Sequence, residues 1–211
     1  MRLHMNIVYV HGLDSDANSN KGLLLEQYCQ ENYPNSKVYR PDLNQSPEQV
    51  FSYLTKLVDE LSQDAKTVLI GSSLGGYFST LVSNRTGCGA LLLNPSTQPH
   101  VTLQRFNDDN SNEILYTTSG GWAITKNHLQ WFADHPLSSI VNPKKVAALI
   151  KEGDELLNAS LSAKFYSEQG ARVILQEGGD HRFSDFREHL PEVMRLVQQL
   201  YSRTTIKVLQ R

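Results

Sequence analysis

Short apolar runs alternate along this chain with longer segments of helical period. Residues 6–10, 37–40, 67–70, 90–93, 144–151 and 172–175 are the runs and read as strands. Between them, 21–31 carries Leu24, Leu25 and Tyr28 on one side. Residues 48–61 place Val50, Leu54, Leu57, Val58 and Leu61 in an amphipathic stripe, with Ser46 as N-cap and Pro47 as first helical residue. Helices are also predicted over 74–84, with Tyr77, Phe78, Leu81 and Val82 available to pack, over 157–169, and over 191–201, with Val193, Val197, Leu200 and Tyr201 on a shared face. Strand and helix in alternation predict an α/β fold. Its sheet is open and mostly parallel, with helices on both faces and right-handed crossovers.

The rhythm stops between residues 98 and 143. This stretch holds both tryptophans, Trp122 and Trp131, with Tyr116, Ile124, Leu129 and Phe132. It also holds the polar run 108–112 and the pair Gly120-Gly121. A structureless loop of that length is out of place in a compact domain. It is expected to be a small, mostly helical cap inserted into one domain spanning 5–211, the alternative being an ordinary pair of core helices. Residues 1–4 read as an added leader, with Met5 as the natural start.

Composition narrows the function classes. A chain of 211 residues with a formal net charge of −2 offers nothing for nucleic acid. No apolar run nears the roughly 18 residues that span a bilayer, and no secretory signal opens the chain. The two cysteines, Cys29 and Cys88, make no disulfide framework and suit buried thiols in a reducing cytoplasm.

The chemistry is concentrated in Gly71-Ser72-Ser73-Leu74-Gly75-Gly76, directly after the apolar run 67–70. It reads G-x-S-x-G in one frame only, with Ser73 at the centre. That pattern is a nucleophile elbow, a sharp strand-to-helix turn that presents a serine over the end of a sheet. The positions two before and two after the serine crowd it and must be tiny. Gly71 and Gly75 meet that demand, whereas a frame centred on Ser72 would put Leu74 in the crowded place. A phosphate-binding turn is the competing reading, but no Lys-Ser/Thr follows the glycines. The chain is therefore expected to be a serine hydrolase with an α/β-hydrolase fold.

A serine hydroxyl needs a general base, and the base an orienting acid. In α/β-hydrolases they follow in the order serine, acid, histidine, on loops after later strands. Asp154, in Glu152-Gly153-Asp154-Glu155, and His181, in Gly178-Gly179-Asp180-His181, stand at those places. Glu155 is the rival acid; Glu152 belongs to the strand, and Asp180 is poorly placed to reach the far ring nitrogen. His128 and His135 precede the acid and break the order, His100 has no partner in view, and His189 reads as solvated. The oxyanion donors are expected to be the amides of Leu74, after the nucleophile, and Leu13, in His11-Gly12-Leu13. His11 and Gly12 support that loop. The run 14–20 imitates the start of an EF-hand loop but lacks its glycine and glutamate, so calcium binding is not expected; the remaining His and Cys show no ligand spacing, so no metal is expected, and the serine mechanism requires no cofactor. The cap aromatics Tyr116, Trp122, Trp131 and Phe132 are expected to line an apolar substrate pocket.

His11-Gly12-Leu13, Gly71-Ser72-Ser73-Leu74-Gly75-Gly76-Tyr77, Asn94-Pro95, Gly153-Asp154-Glu155 and Gly178-Gly179-Asp180-His181-Arg182-Phe183 together resemble the YqiA-type bacterial esterases, small cytoplasmic α/β-hydrolases. The resemblance runs from Met5 to the final helix. It implies Ser73 as nucleophile, Asp154 as acid and His181 as base. It also implies hydrolysis of carboxylic esters or thioesters, with acyl-CoA-like substrates or a physiological thioesterase activity within its range. A scaffold of this fold used only for binding is the alternative of another class. Two residues depart from the family pattern: Asp180 stands where Asn is expected and Arg182 where Ala is expected, and their charges flank the base.

Overall fold

The computed structural model describes residues 4–107 and 113–204. Most of the supposed leader and the polar run 108–112 lie outside the described residues. Six parallel strands form the central sheet, in the order β2-β1-β3-β4-β7-β8. They are β1 (Met5–Val10), β2 (Lys37–Tyr39), β3 (Lys66–Ser72), β4 (Gly89–Leu93), β7 (Val146–Lys151) and β8 (Arg172–Gln176). β1, β4 and β7 are buried at every position, as expected of strands covered on both faces.

Side chains alternate between two core layers. Met5, Ile7 and Tyr9 of β1 join Val68, Ile70, Leu91 and Leu149 beneath α1 (Asn20–Asn32) and α7 (Phe186–Arg203). Val8, Val10, Leu69, Leu92 and Ile150 face the other layer, under α2 (Pro47–Asp64), α3 (Leu74–Thr86) and α6 (Ala159–Glu168). Cys29 and Cys88 belong to opposite layers, so the sheet separates them and a disulfide is out of reach.

Local signals place most helix starts. Ser46 and Gln49 close a capping box on α2, with Pro47 in the first turn. The exception is α7, which begins at Phe186, ahead of the expected start at Pro191. Phe186 and Leu190 are buried on the same side as Val193 and Val197, so the apolar stripe extends backward. Pro191 sits exposed inside the helix and forgoes one backbone hydrogen bond in exchange for that continuity.

The described part of residues 98–143 is built from short elements. These are α4 (Pro99–Thr102) with a 3₁₀ turn (Leu103–Phe106), an antiparallel hairpin of β5 (Ile114–Thr117) and β6 (Ala123–Thr125), and α5 (Lys126–Asp134). The hairpin adds to the helices that were expected. α5 packs its apolar face into the main core: Phe132 is fully buried, edge-on to Tyr77 at 5.4 Å. No helix among the described residues is long and apolar enough to cross a membrane.

Candidate active site

The site forms where the strand order reverses. From β1 the chain passes to β2 on one side and then to β3 on the other, which opens a crevice at the carboxyl ends of β1 and β3. Val10 ends β1 level with Gly71 of β3. The segments His11-Gly12-Leu13 and Ser72-Ser73 therefore leave the sheet side by side.

Ser73 has φ 55° and ψ −119°, a backbone conformation that costs an L-residue on the order of 1–3 kcal/mol. Hydrogen bonds hold it there. The Ser73 N–H donates to the Leu93 carbonyl at 3.0 Å, and the Ser73 carbonyl accepts from Gly76 at 2.9 Å and Ser96 at 3.0 Å. A Cβ on Gly75 would lie 2.1 Å from the Val10 carbonyl oxygen, and one on Gly71 would lie 2.4 Å from that of Gly75. The demand for tiny residues flanking the serine is thus a backbone-against-backbone contact. Leu74 opens α3, so its N–H has no intrahelical acceptor.

His11 locks the neighbouring loop. Its Nε2 accepts the Leu43 N–H at 2.9 Å, so Nδ1 carries the hydrogen and donates to the Gly12 carbonyl at 2.9 Å. Burial lowers its pKa, keeping the ring neutral. The stretch after it is a polar tie: Asp14 accepts the Tyr116 hydroxyl at 2.8 Å and the Ser119 N–H at 3.1 Å, fastening the loop to the hairpin.

Asp154 follows β7, His181 follows β8, and the two loops interlock. The Gly153 N–H donates to the Gly178 carbonyl at 2.9 Å, and a Cβ on Gly153 would meet the Gly179 oxygen at 2.3 Å. His181 Nδ1 lies 2.9 and 2.8 Å from the two Asp154 carboxylate oxygens, and Nε2 lies 2.9 Å from Ser73 Oγ. Asp154 Oδ1 also accepts the Leu156 and Leu157 N–H groups at 2.9 and 2.8 Å, and its side chain is 2% exposed. Nδ1–H therefore faces the carboxylate and Nε2 is the acceptor that meets the serine. The rival Glu155 has a different task, accepting the His181 backbone N–H at 2.9 Å. Asp180 accepts the Ser184 N–H at 3.1 Å, and hydrogen bonding to Ser184 holds its carboxyl below the ordinary range.

Three supports of the His181 loop lay beyond the sequence reading. Asn94 Nδ2 donates to the Asp180 and His181 carbonyls at 3.0 and 3.3 Å, while its Oδ1 accepts the Lys151 N–H at 2.8 Å. Lys151 is buried and donates to Asp185 Oδ2 at 2.6 Å, with its ammonium over the Phe183 ring. His189 is not solvated as expected: Nε2 lies 2.9 Å from Asp185 and 2.8 Å from Lys151. The four-residue spacing from Asp185, the N-cap of α7, to His189 was the available signal.

A cavity of about 500 Å³ opens over Ser73 and His181, walled by Gly12, Leu13, Asp14, Lys21, Arg105 and Arg182 among others. The expected aromatic pocket does not form here: none of Tyr116, Trp122, Trp131 and Phe132 lines this cavity. Phe132 faces Tyr77 in the core, and Trp131 stacks on His135 at 3.9 Å beside a separate groove with Phe51. Tyr116 stacks on Phe106 at 4.1 Å. Trp122 is buried, reaching only a narrow crevice behind Leu13 and Leu74. The cause is that Leu129 and Phe132, one turn apart, turn α5 onto α3 and carry its aromatics away from the strand ends.

The sequence profile of an uncharacterised protein family, UPF0227, matches residues 6–198. A UPF0227 protein of Shewanella oneidensis is 24% identical over 191 residues, covering 89% of this chain and 96% of that protein. Among solved structures, alpha/beta hydrolase domain-containing protein 10 from mouse superposes with a TM-score of 0.72 at 18% identity, over 92% of this chain and 90% of that one. Est1E from Butyrivibrio proteoclasticus, solved with ferulic acid bound, superposes with a TM-score of 0.75 at 13% identity, over 94% and 90%. At such identities the likeness is one of fold, and the fold is that of the α/β-hydrolases.

Proposed function

The chain belongs to the uncharacterised protein family UPF0227, and from that premise we propose that it is a serine hydrolase of carboxylic esters or thioesters. The observation that carries this reading is the continuous relay from Asp154 through His181 to Ser73 Oγ, ending at 2.9 Å on a strained serine. Hydrogen-bonded order, a histidine acceptor nitrogen facing the hydroxyl and a buried carboxylate on the far nitrogen are what general-base activation of serine requires.

Ser73 Oγ attacks the carbonyl carbon while His181 Nε2 takes its proton. Asp154 holds the tautomer and balances the imidazolium. The Leu74 and Leu13 amides receive the oxyanion, each such donor contributing roughly 3–4 kcal/mol to the transition state. The tetrahedral intermediate collapses, His181 returns the proton to the leaving alcohol or thiol, and an acyl-Ser73 remains. Water, deprotonated by His181, hydrolyses it. No cofactor enters this cycle.

A fluorophosphonate probe is expected to label Ser73, and Ser73→Ala to abolish labelling and lower turnover on the order of 10⁶-fold. Turnover by Ser73→Ala near the wild-type rate would sink the mechanism. Matched oxygen esters and thioesters, assayed in parallel, separate esterase from thioesterase.

A further inference from the structure

Three cations from distant parts of the chain meet at the cavity over Ser73. Lys21 stands in the first turn of α1, Arg105 in the 3₁₀ turn after α4, and Arg182 directly after His181. Asp14 is the one carboxylate among the residues lining this cavity, and both of its oxygens are engaged by Tyr116 and Ser119. Three cations against one carboxylate give this wall a formal charge of +2, in a chain whose net charge is −2.

None of the three is neutralised within the described residues, where no ion pair includes Lys21, Arg105 or Arg182. Lys21 instead donates to the neutral carbonyl of Arg182. Burial brings its pKa down to about 8, against the pull of Asp180, so its charge is held at a desolvation cost. The nearby Asp180 carboxylate already caps the turn through Ser184. The first turn of α1, which also faces the cavity through Asn20, contains no acidic residue. Three like charges converge beside the serine with Asp14 alone opposing them on the cavity wall, and a walled cleft with an excess of one sign concentrates ligands of the other.

We propose that the ester hydrolysed at Ser73 carries a free carboxylate, held by Lys21, Arg105 and Arg182. The substrates are then half-esters of dicarboxylic acids or esters of carboxylated alcohols. The inference rests on the hydrolase reading above. The scissile carbonyl and the carboxylate share one cavity of about 500 Å³, which suits a small molecule with both groups close together. Two guanidinium forks offer the planar, bidentate recognition that a carboxylate accepts.

Two matched pairs of esters test it and separate the acyl side from the alcohol side. The first pair is the mono-p-nitrophenyl ester of glutarate against p-nitrophenyl valerate. The second is 3-carboxyphenyl butyrate against 3-methylphenyl butyrate. In at least one pair the charged ester is expected to exceed its neutral partner in kcat/KM by about tenfold or more. That ratio, rather than either rate, should fall toward one in Arg105→Gln and Arg182→Gln. It should also fall for the wild-type protein as salt is raised to about 0.5 M, a measurement that needs no variant. Neutral esters turned over as fast as charged ones in both pairs, with Ser73 labelled by the fluorophosphonate, would overturn this inference and leave the hydrolase reading standing. No labelling and no turnover of any ester would overturn the hydrolase reading and this inference with it.

Discussion

Asp154 accepts hydrogen bonds from two backbone amides and the His181 ring, and its side chain is almost fully buried. It is therefore held as an oriented acceptor. An amide in its place would present NH₂ to the ring or reverse the tautomer, leaving Nε2 protonated toward Ser73. Asp154→Asn is expected to lower kcat by about 10⁴-fold while the fold is retained, as read by steady-state kinetics beside circular dichroism. Glu155, one residue on, binds the His181 backbone and not the ring.

Two junctions between elements carry the site. At the first, β3 turns into α3 through Ser73, and the turn closes only because Gly75 lies against the Val10 carbonyl of β1. In Gly75→Ala the new methyl meets backbone on a central strand, which cannot yield as a flexible side chain can. The serine must shift, and misplacement by about 1 Å costs on the order of 10²-fold in turnover. A crystal structure of the variant with wild-type geometry and wild-type kcat would contradict this. At the second junction β8 turns into α7, and the loop between them lies on the buried Lys151, paired with Asp185 and beside His189. Lys151→Met leaves Asp185 without its cation and removes the ammonium from Phe183. Lys151 is buried but Asp185 is one-third exposed, so water screens the carboxylate left behind and the loss is about 1–2 kcal/mol. Thermal unfolding should register that loss, and His181-dependent acylation should slow with it. Burial opposes ionisation of Asp185, but the bonds from Lys151 and His189 outweigh it and depress its pKa. The stabilisation from this group is thus full above the ordinary carboxylate pKa, near 4, and is lost as pH falls through the lowered folded value.

On the scale of the whole molecule, the segment 98–143 divides. Its first part brings Leu103 and Arg105 to the site, and its last part, α5, belongs to the core shared with α2 and α3. Phe132→Ala should accordingly cost about 3–5 kcal/mol in unfolding free energy, read by denaturant titration. The preference among acyl chain lengths should not change, whereas a wall of the substrate pocket would alter it. The six strands, the elbow and the order serine, acid, histidine were readable because each rests on local rules. Apolar runs bury, helical period exposes a stripe, and a strained turn admits only glycine two positions before and two after Ser73. The direction α5 would turn its aromatics was not readable, since a stripe of Leu129 and Phe132 packs equally well on a core or over a crevice. The same holds for Lys151 with Asp185 and His189, and for Lys21, Arg105 and Arg182. Arg182 was placed beside the base by its position in the chain, but nothing in the sequence puts Lys21 and Arg105 next to it, and only the assembled sheet brings them together. The chain by itself therefore determined which serine reacts in this reading and what activates it. The tertiary structure alone decided what surrounds that serine, because side chains far apart in sequence acquire a shared electrostatic environment only when the strand ends converge.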